Sequence, residues 1–117
     1  MRDDRERLLD ILDAIGKIER RMPVRREALD EDELLQVWMV HHVQVIGEAV
    51  RGLSEGFRAR HPEVPWREIV TMRNVLVHHY FDVDTEEVWQ AATRDLPPLK
   101  RTIEALLREL GGPAEAT

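Results

Sequence analysis

Cysteine is absent from the 117 residues, which excludes disulfides and thiolate metal sites and is compatible with a reducing compartment. Glycine and proline number six each, and they form no linker; no internal repeat or low-complexity stretch is present. No apolar run approaches the roughly 20 residues that span a bilayer. The opening MRDDRERLLD is too charged for a secretory signal peptide, so the expected location is cytoplasmic, with no membrane partner. A positive excess is missing too. Lys and Arg total 17 against 23 Asp and Glu, a formal net charge of −6, which argues against non-specific coating of nucleic acid, whose affinity comes from neutralised phosphates. A small basic cleft on an acidic body remains open, because Arg20, Arg21, Arg25 and Arg26, then Arg51, Arg58, Arg60, Arg67 and Arg73, gather locally along the chain. Neither a phosphate-binding glycine loop nor a nucleophile elbow occurs.

The composition, 43% apolar and 34% charged, is that of a globular chain and not a disordered one. The expected organisation is one helical domain over residues 1–110 and a flexible tail over 111–117. At this size, association with a second copy would help bury apolar surface.

Apolar periodicity predicts helices throughout. Leu8, Ile11, Leu12, Ile15, Ile18 and Met22 form one stripe on a helix from Asp3 to Met22, ended by Pro23. A second helix is expected after an Asp30 cap, continuing to about Arg60; at about 1.5 Å per residue it would be some 45 Å long. Its apolar residues cover about half its circumference, enough for both bundle packing and a subunit interface. Gly47 and Gly52 on it mark close approaches or a bend. Pro65 suits the first turn of a third helix, Trp66 to Tyr80. Asp84 or Thr85 caps a fourth through Arg94, and Asp95 with Pro97 and Pro98 starts a fifth, carrying Leu99, Ile103, Leu106, Leu107 and Leu110. No convincing period-two strand is found. The predicted fold is an all-α, up-and-down bundle of four to five helices.

One stretch departs from the plain amphipathic pattern: RNVLVHHY, residues 73–80. Burying unpaired polar groups costs free energy, while a solvent-facing helix would not need the valines and leucine. On a helix Arg73 and Tyr80 lie about 20° apart, but Arg73 and His78 about 140° apart. Arg73 points into the apolar arc of Trp66, Ile69, Val70, Leu76 and Val77. Asp82 or Asp84 could pair with it, and a buried Arg–Asp network capped by Tyr80 would explain both residues without chemistry. The functional alternative is phosphoryl transfer. Arginine presents a permanently charged fork that matches phosphate oxygens. Histidine moves a proton near neutrality. In RNA the adjacent 2′-hydroxyl can be the nucleophile, so a base, an acid and a cation suffice. One histidine does not conveniently serve both faces of an in-line displacement, which is a physical reason to expect a two-fold dimer.

These residues resemble the Arg, four residues, His, one residue, Tyr signature of HepT-like toxins in the HEPN superfamily, here Arg73 to Tyr80. The flanks are similar as well: Ile46-Gly47-Glu48-Ala49, Pro65-Trp66, Met72-Arg73-Asn74, and Asp82-Val83-Asp84 followed by Val88-Trp89. The resemblance covers roughly residues 5–110 and implies a dimeric, metal-independent endoribonuclease, the toxin of a type VII-like toxin–antitoxin pair, with an RNA substrate, no cofactor and no DNA. It implies a minimal nucleotidyltransferase antitoxin that adenylylates the motif tyrosine, and a larger hetero-oligomer with that partner is compatible with it. Carried over residue by residue, Arg73 and His78 would be catalytic, Asn74 would assist them, and Tyr80 would accept AMP; His79 has no assigned role. A non-enzymatic subunit that binds nucleotide or docks on the nucleotidyltransferase is the alternative.

Other polar residues have simpler readings. His42 falls within an apolar arc as a satisfied core histidine, His41 sits at the arc's edge where it could line a dimer cleft, and His61 precedes Pro62 in a solvated loop. A metal site from His78, His79, Asp82 and Asp84 is disfavoured because adjacent histidines diverge on a helix. Asp30-Glu31-Asp32-Glu33 complements a helix dipole. Trp38, Trp66 and Trp89 read as core or interface residues and not as base-stacking platforms.

Overall fold

Helix α1, Asp4–Arg21, begins at a reciprocal cap. The Asp3 carboxylate accepts from the Glu6 amide at 2.8 Å, and the Glu6 carboxylate accepts from the Asp3 amide at 3.1 Å. The computed structural model describes residues 3–78 and 82–111. In chain order these form α1, α2 (Arg26–Asp30), α3 (Glu33–Arg51), α4 (Glu55–Ala59), α5 (Trp66–Leu76), β1 (Val77–His78), β2 (Asp82–Val83), α6 (Thr85–Gln90), a π-helical stretch (Ala91–Asp95) and α7 (Leu96–Gly111).

The all-α bundle expectation holds in class, and most of the apolar stripes predicted for the first and last helices form the buried faces of α1 and α7, although Leu12 and Met22 are only partly buried and Leu110 is exposed. Leu8, Ile11, Ile15 and Ile18 of α1 meet Met39, Val43, Ile46 and Val50 of α3 in one core, joined by Leu99, Ile103, Leu106 and Leu107 of α7. Removing each such side chain from water stabilises the fold by about 1.5–3 kcal/mol. The α1–α3 pairing is the most extensive among the described elements, followed by α3–α5.

Four boundaries differ from the sequence expectation. The long second helix does not start after Asp30, which belongs to α2, a helix too short for a readable period. The cap is Asp32, whose carboxylate accepts from the Leu35 amide at 3.0 Å. Nor does it run to Arg60. It stops at Arg51 with Gly52 as its C-cap, and the chain turns into α4, capped by the Ser54 hydroxyl. Ser54 is held in turn by Asp4, which accepts its amide and its hydroxyl at 2.8 Å each. The apolar pattern continues across the break because Leu53 and Phe57 are still buried, so periodicity alone could not reveal it.

Helix α5 ends at Leu76, short of the expected Tyr80. Val77 is extended, at φ −124° and ψ 122°. Val77 pairs with Val83 and His78 with Asp82 in a short antiparallel ladder, closed by the Asp84 amide donating to the Leu76 carbonyl at 2.7 Å. Strands of two residues are too short to show a period-two pattern, so the hairpin escaped the sequence reading. Finally, the fourth and fifth helices are continuous. Asp84 caps α6 as expected, but the chain passes through a π turn in which the Leu96 amide reaches the Ala91 carbonyl. This wider turn precedes Pro97 and Pro98, which have no amide hydrogen to donate. Gly111 closes α7, and the rest of the expected tail, residues 112–117, lies outside the described residues.

Candidate functional site

The site grows from the crossing of α3 and α5. An added Cβ on Gly47 would stand 3.0 Å from the Val70 carbonyl oxygen and 3.6 Å from that of Ile69. The backbones therefore meet at Gly47, and this close approach sets the side chains of the next turn of α5 beside α3. Arg73 is the first long polar side chain past the crossing. It is half-buried, its Nε is shielded from solvent without a hydrogen-bond partner, and among the described residues no carboxylate forms an ion pair with it. The expected Arg–Asp network is thus not formed by Asp82 or Asp84.

Two open grooves flank Arg73. One, of about 260 Å³, runs between α3 and α5 and is lined by Gln44, Glu48, Arg51, Thr71, Arg73 and Asn74 over Gly47 and Val70. Arg51 is paired with Glu48 at 3.3 Å. The second, of about 340 Å³, has Val37, Val40, His41 and Gln44 of α3 on one side and Arg73, Val77 and Val83 on the other. Arg73 and Gln44 belong to both. Val37, on the wall of the second groove, is 57% exposed.

The first groove brings Arg73 and Asn74 together, but neither groove includes His78. Because α5 ends at Leu76, the wheel that set Arg73 and His78 about 140° apart does not govern this segment. Successive strand residues face opposite sides: Val77 turns into the second groove, and His78, with 53% of its side chain exposed, turns away from it. Its Nε2 lies 3.0 Å from Asp84 Oδ2. The other carboxylate oxygen of Asp84 accepts from the Glu87 amide at 3.1 Å. The bond to His78, then the one to that amide, hold the Asp84 carboxyl below the usual carboxylate range. In the sequence Asp84 reads as an arginine partner, a helix cap or a metal ligand, and nothing local marks it as the imidazole's partner. Tyr80, the expected AMP acceptor, and His79 lie outside the described residues. Among the described residues no three His, Asp or Glu side chains converge as a metal site.

The remaining histidines divide differently from expectation. His42 is buried, but neither ring nitrogen has a hydrogen-bond partner, so it is a core histidine without being a satisfied one. It packs edge-on against Trp38, with ring centroids 4.4 Å apart, and against His41 at 4.8 Å. Burial first, then the neighbouring His41 and Lys17, lower its pKa, with Asp13 opposing. His41 is exposed and lines the second groove. His61 is not a free loop residue: its ring packs 4.8 Å from Phe57 and its side chain is only 16% exposed. Trp38 and Trp66 donate to backbone carbonyls of Lys17 and of Arg58 and His61, which fixes them as packing residues.

A helical bundle with an arginine unpaired among the described residues and an asparagine in one groove, and a carboxylate-held histidine on the short hairpin that follows, defines a candidate phosphodiester-binding site. The description "Ribonuclease HepT-like" matches residues 11–106, and the chain belongs to that family. It is similar to the "Probable ribonuclease HepT" of Thermococcus cleftensis, 38% identical over 109 residues that cover 90% of this chain and 96% of the relative. A "Putative RNase" of Caldanaerobacter subterraneus subsp. tengcongensis is 35% identical over 92 residues, 79% of this chain and 82% of the relative. Another of that name, from Methanocaldococcus jannaschii, is 32% identical over 104 residues, 88% and 95% of the two chains. No solved structure matches. Among the described residues no helix is long and apolar enough to cross a membrane.

Proposed function

We propose that this chain is an endoribonuclease toxin in which Arg73 and Asn74 hold the scissile phosphate and His78 moves the proton. The single observation that carries the reading is the Arg73 guanidinium, half-buried on the wall of two open grooves with no carboxylate paired to it among the described residues. A cation taken partly out of water without a partner gains most from an anion supplied from outside, and its planar fork matches a phosphate. Membership of the ribonuclease family supports RNA as that anion's source.

In the proposed step, His78 accepts the hydrogen of the 2′-hydroxyl. The 2′-oxygen forms a bond to phosphorus while the bond to the 5′-oxygen breaks. The departing 5′-oxygen takes a proton from the imidazolium of a second copy, leaving a 2′,3′-cyclic phosphate and a 5′-hydroxyl. Arg73 stabilises the charge that builds on the non-bridging oxygens. The separation of His78 from the Arg73 groove within one chain supports the expectation of a two-fold dimer, and the exposed Leu34 and Val37 of α3, the latter on the groove wall, supply apolar surface for it. The proposed regulator is a minimal nucleotidyltransferase that transfers AMP to the Tyr80 hydroxyl from ATP, releasing pyrophosphate. The added phosphodiester would compete with RNA for Arg73 by charge and by bulk.

Incubation of the purified chain with RNA in excess EDTA tests the reading: cleavage with cyclic-phosphate ends is expected, and its disappearance in Arg73→Ala and His78→Ala. Undiminished cutting by either variant at matched concentration overturns the assignment. Mass spectrometry after treatment with the partner enzyme and ATP is expected to show one AMP per chain, lost in Tyr80→Phe; a modified Tyr80→Phe protein overturns that arm.

A further inference from the structure

We infer that Asp84 is the positioning residue for His78, holding the hydrogen of the neutral imidazole on Nε2 and leaving Nδ1 as the nitrogen that exchanges a proton with RNA. The inference rests on the ribonuclease reading for the use of the ring, and on geometry alone for its orientation.

Asp84 is fixed at three points before any substrate arrives. Its amide donates to the Leu76 carbonyl at 2.7 Å, which ties it to the end of α5. One carboxylate oxygen accepts from the Glu87 amide at 3.1 Å as the cap of α6. The other lies 3.0 Å from His78 Nε2. An ionised carboxylate can only accept hydrogen bonds, so Nε2 must be the donor. The lone pair of the neutral ring is then on Nδ1. The low pKa of Asp84 supports this assignment, because it keeps the carboxylate ionised through the range in which RNA is handled. Among the described residues Asp82 also faces His78: it pairs with it across the ladder through the backbone, and its side chain is exposed. Asp84, not Asp82, therefore sets the ring, and His78 reaches the transition state with its rotation already restricted.

The cap makes the test clean. In Asp84→Asn the amide oxygen can still accept from Glu87, which turns the NH2 group toward His78 Nε2 and forces that nitrogen to accept. The ring hydrogen is then expected on Nδ1, a reversal of tautomer with the fold intact, since asparagine is as good a cap as aspartate. Nitrogen-15 NMR of the histidine ring in the full chain, with the His78 signal identified by its loss in His78→Ala, reads this directly. The same variant is expected to lose kcat by on the order of 10- to 100-fold, the range in which a carboxylate orients a ligating histidine, with KM unchanged. Asp84→Ser keeps a cap without reaching the ring and is expected to lose kcat with a mixed tautomer. Asp82→Asn should resemble the parent in both readouts. A ring that stays protonated on Nε2 in Asp84→Asn overturns the inference, as does reversal with kcat unaltered. A parent chain that cuts no RNA overturns instead the reading beneath it, while the NMR arm still decides which nitrogen Asp84 holds.

Discussion

Helix α3 has two working edges that follow opposite rules. Along α1 it buries Met39, Val43, Ile46 and Val50 against a matching stripe, and the chain ends nearby are closed by the Asp3–Glu6, Asp32 and Ser54–Asp4 hydrogen bonds. Along α5 it meets its neighbour at Gly47, and beyond that point leaves Arg73 without an ion pair among the described residues, Asn74 exposed and two grooves open. The first edge is arranged to be stable. The second keeps a cation partly desolvated, which a structure tolerates where a ligand completes it. His42 is the exception on the stable edge, a buried imidazole with both nitrogens unanswered.

The sharpest way to break this contrast is at its polar end. Arg73→Ala and His78→Ala are each expected to reduce RNA cleavage by about 10²- to 10⁴-fold. The exposed His78 should change stability by no more than about 0.5 kcal/mol, read by urea titration. If Arg73→Ala unfolds the chain instead, the groove belongs to the core and the contrast fails. At the apolar end, Ile46→Ala should cost about 2–5 kcal/mol in the same titration, because Ile46 is fully buried. Cleavage per folded molecule should hold, and a loss of cleavage out of proportion to unfolding would tie the two edges together.

Gly47 sits where the edges meet. Gly47→Val drives side-chain carbon into the Val70 carbonyl and should cost about 1–3 kcal/mol, with a further loss of RNA binding because Gly47 also lines the Arg73 groove. Wild-type affinity in that variant would show that the crossing does not shape the groove. The smallest expected effect belongs to His42. Its pKa is lowered in the folded chain from the usual 6.5, so as pH falls the unfolded chain takes up the proton first. Its contribution is therefore complete above 6.5 and drains away below it, as far as the folded-state pKa. Urea titrations between about pH 8 and 5 should show stability falling with acid, and a shallower fall in His42→Met. An equal slope in that variant assigns the acid sensitivity elsewhere.

Much of the stable edge was legible in the sequence. The stripe from Leu8 to Ile18, the Pro23 stop, the Pro65 start and the Asp84 cap all depend on spacings of one to four residues. The misses cluster where short elements or distant partners decide. Five residues were too few for α2 to announce itself, and it is held from outside: the Thr85 hydroxyl donates to the Asp30 carboxylate, and Arg26 pairs with Glu86 at 3.0 Å. The break at Gly52 is completed by Asp4, 50 residues earlier. In the candidate site, the polar cluster around Arg73 stood out because its residue types are wrong for a plain core helix. Its partners did not: Gln44 and Arg51 come from another helix, and the pairing of His78 with Asp84 exists only because α5 ends early and the chain doubles back.

Hydrophobic period and capping residues, which act within a turn or two, determined from sequence alone that this chain is helical, and that residues 73–78 hold a polar cluster unlike the rest. Which way those groups face was decided only when α3 and α5 crossed at Gly47 and the hairpin closed on Leu76. The direction of a side chain depends on where two backbones touch, and that contact joins residues whose separation along the chain no local pattern encodes.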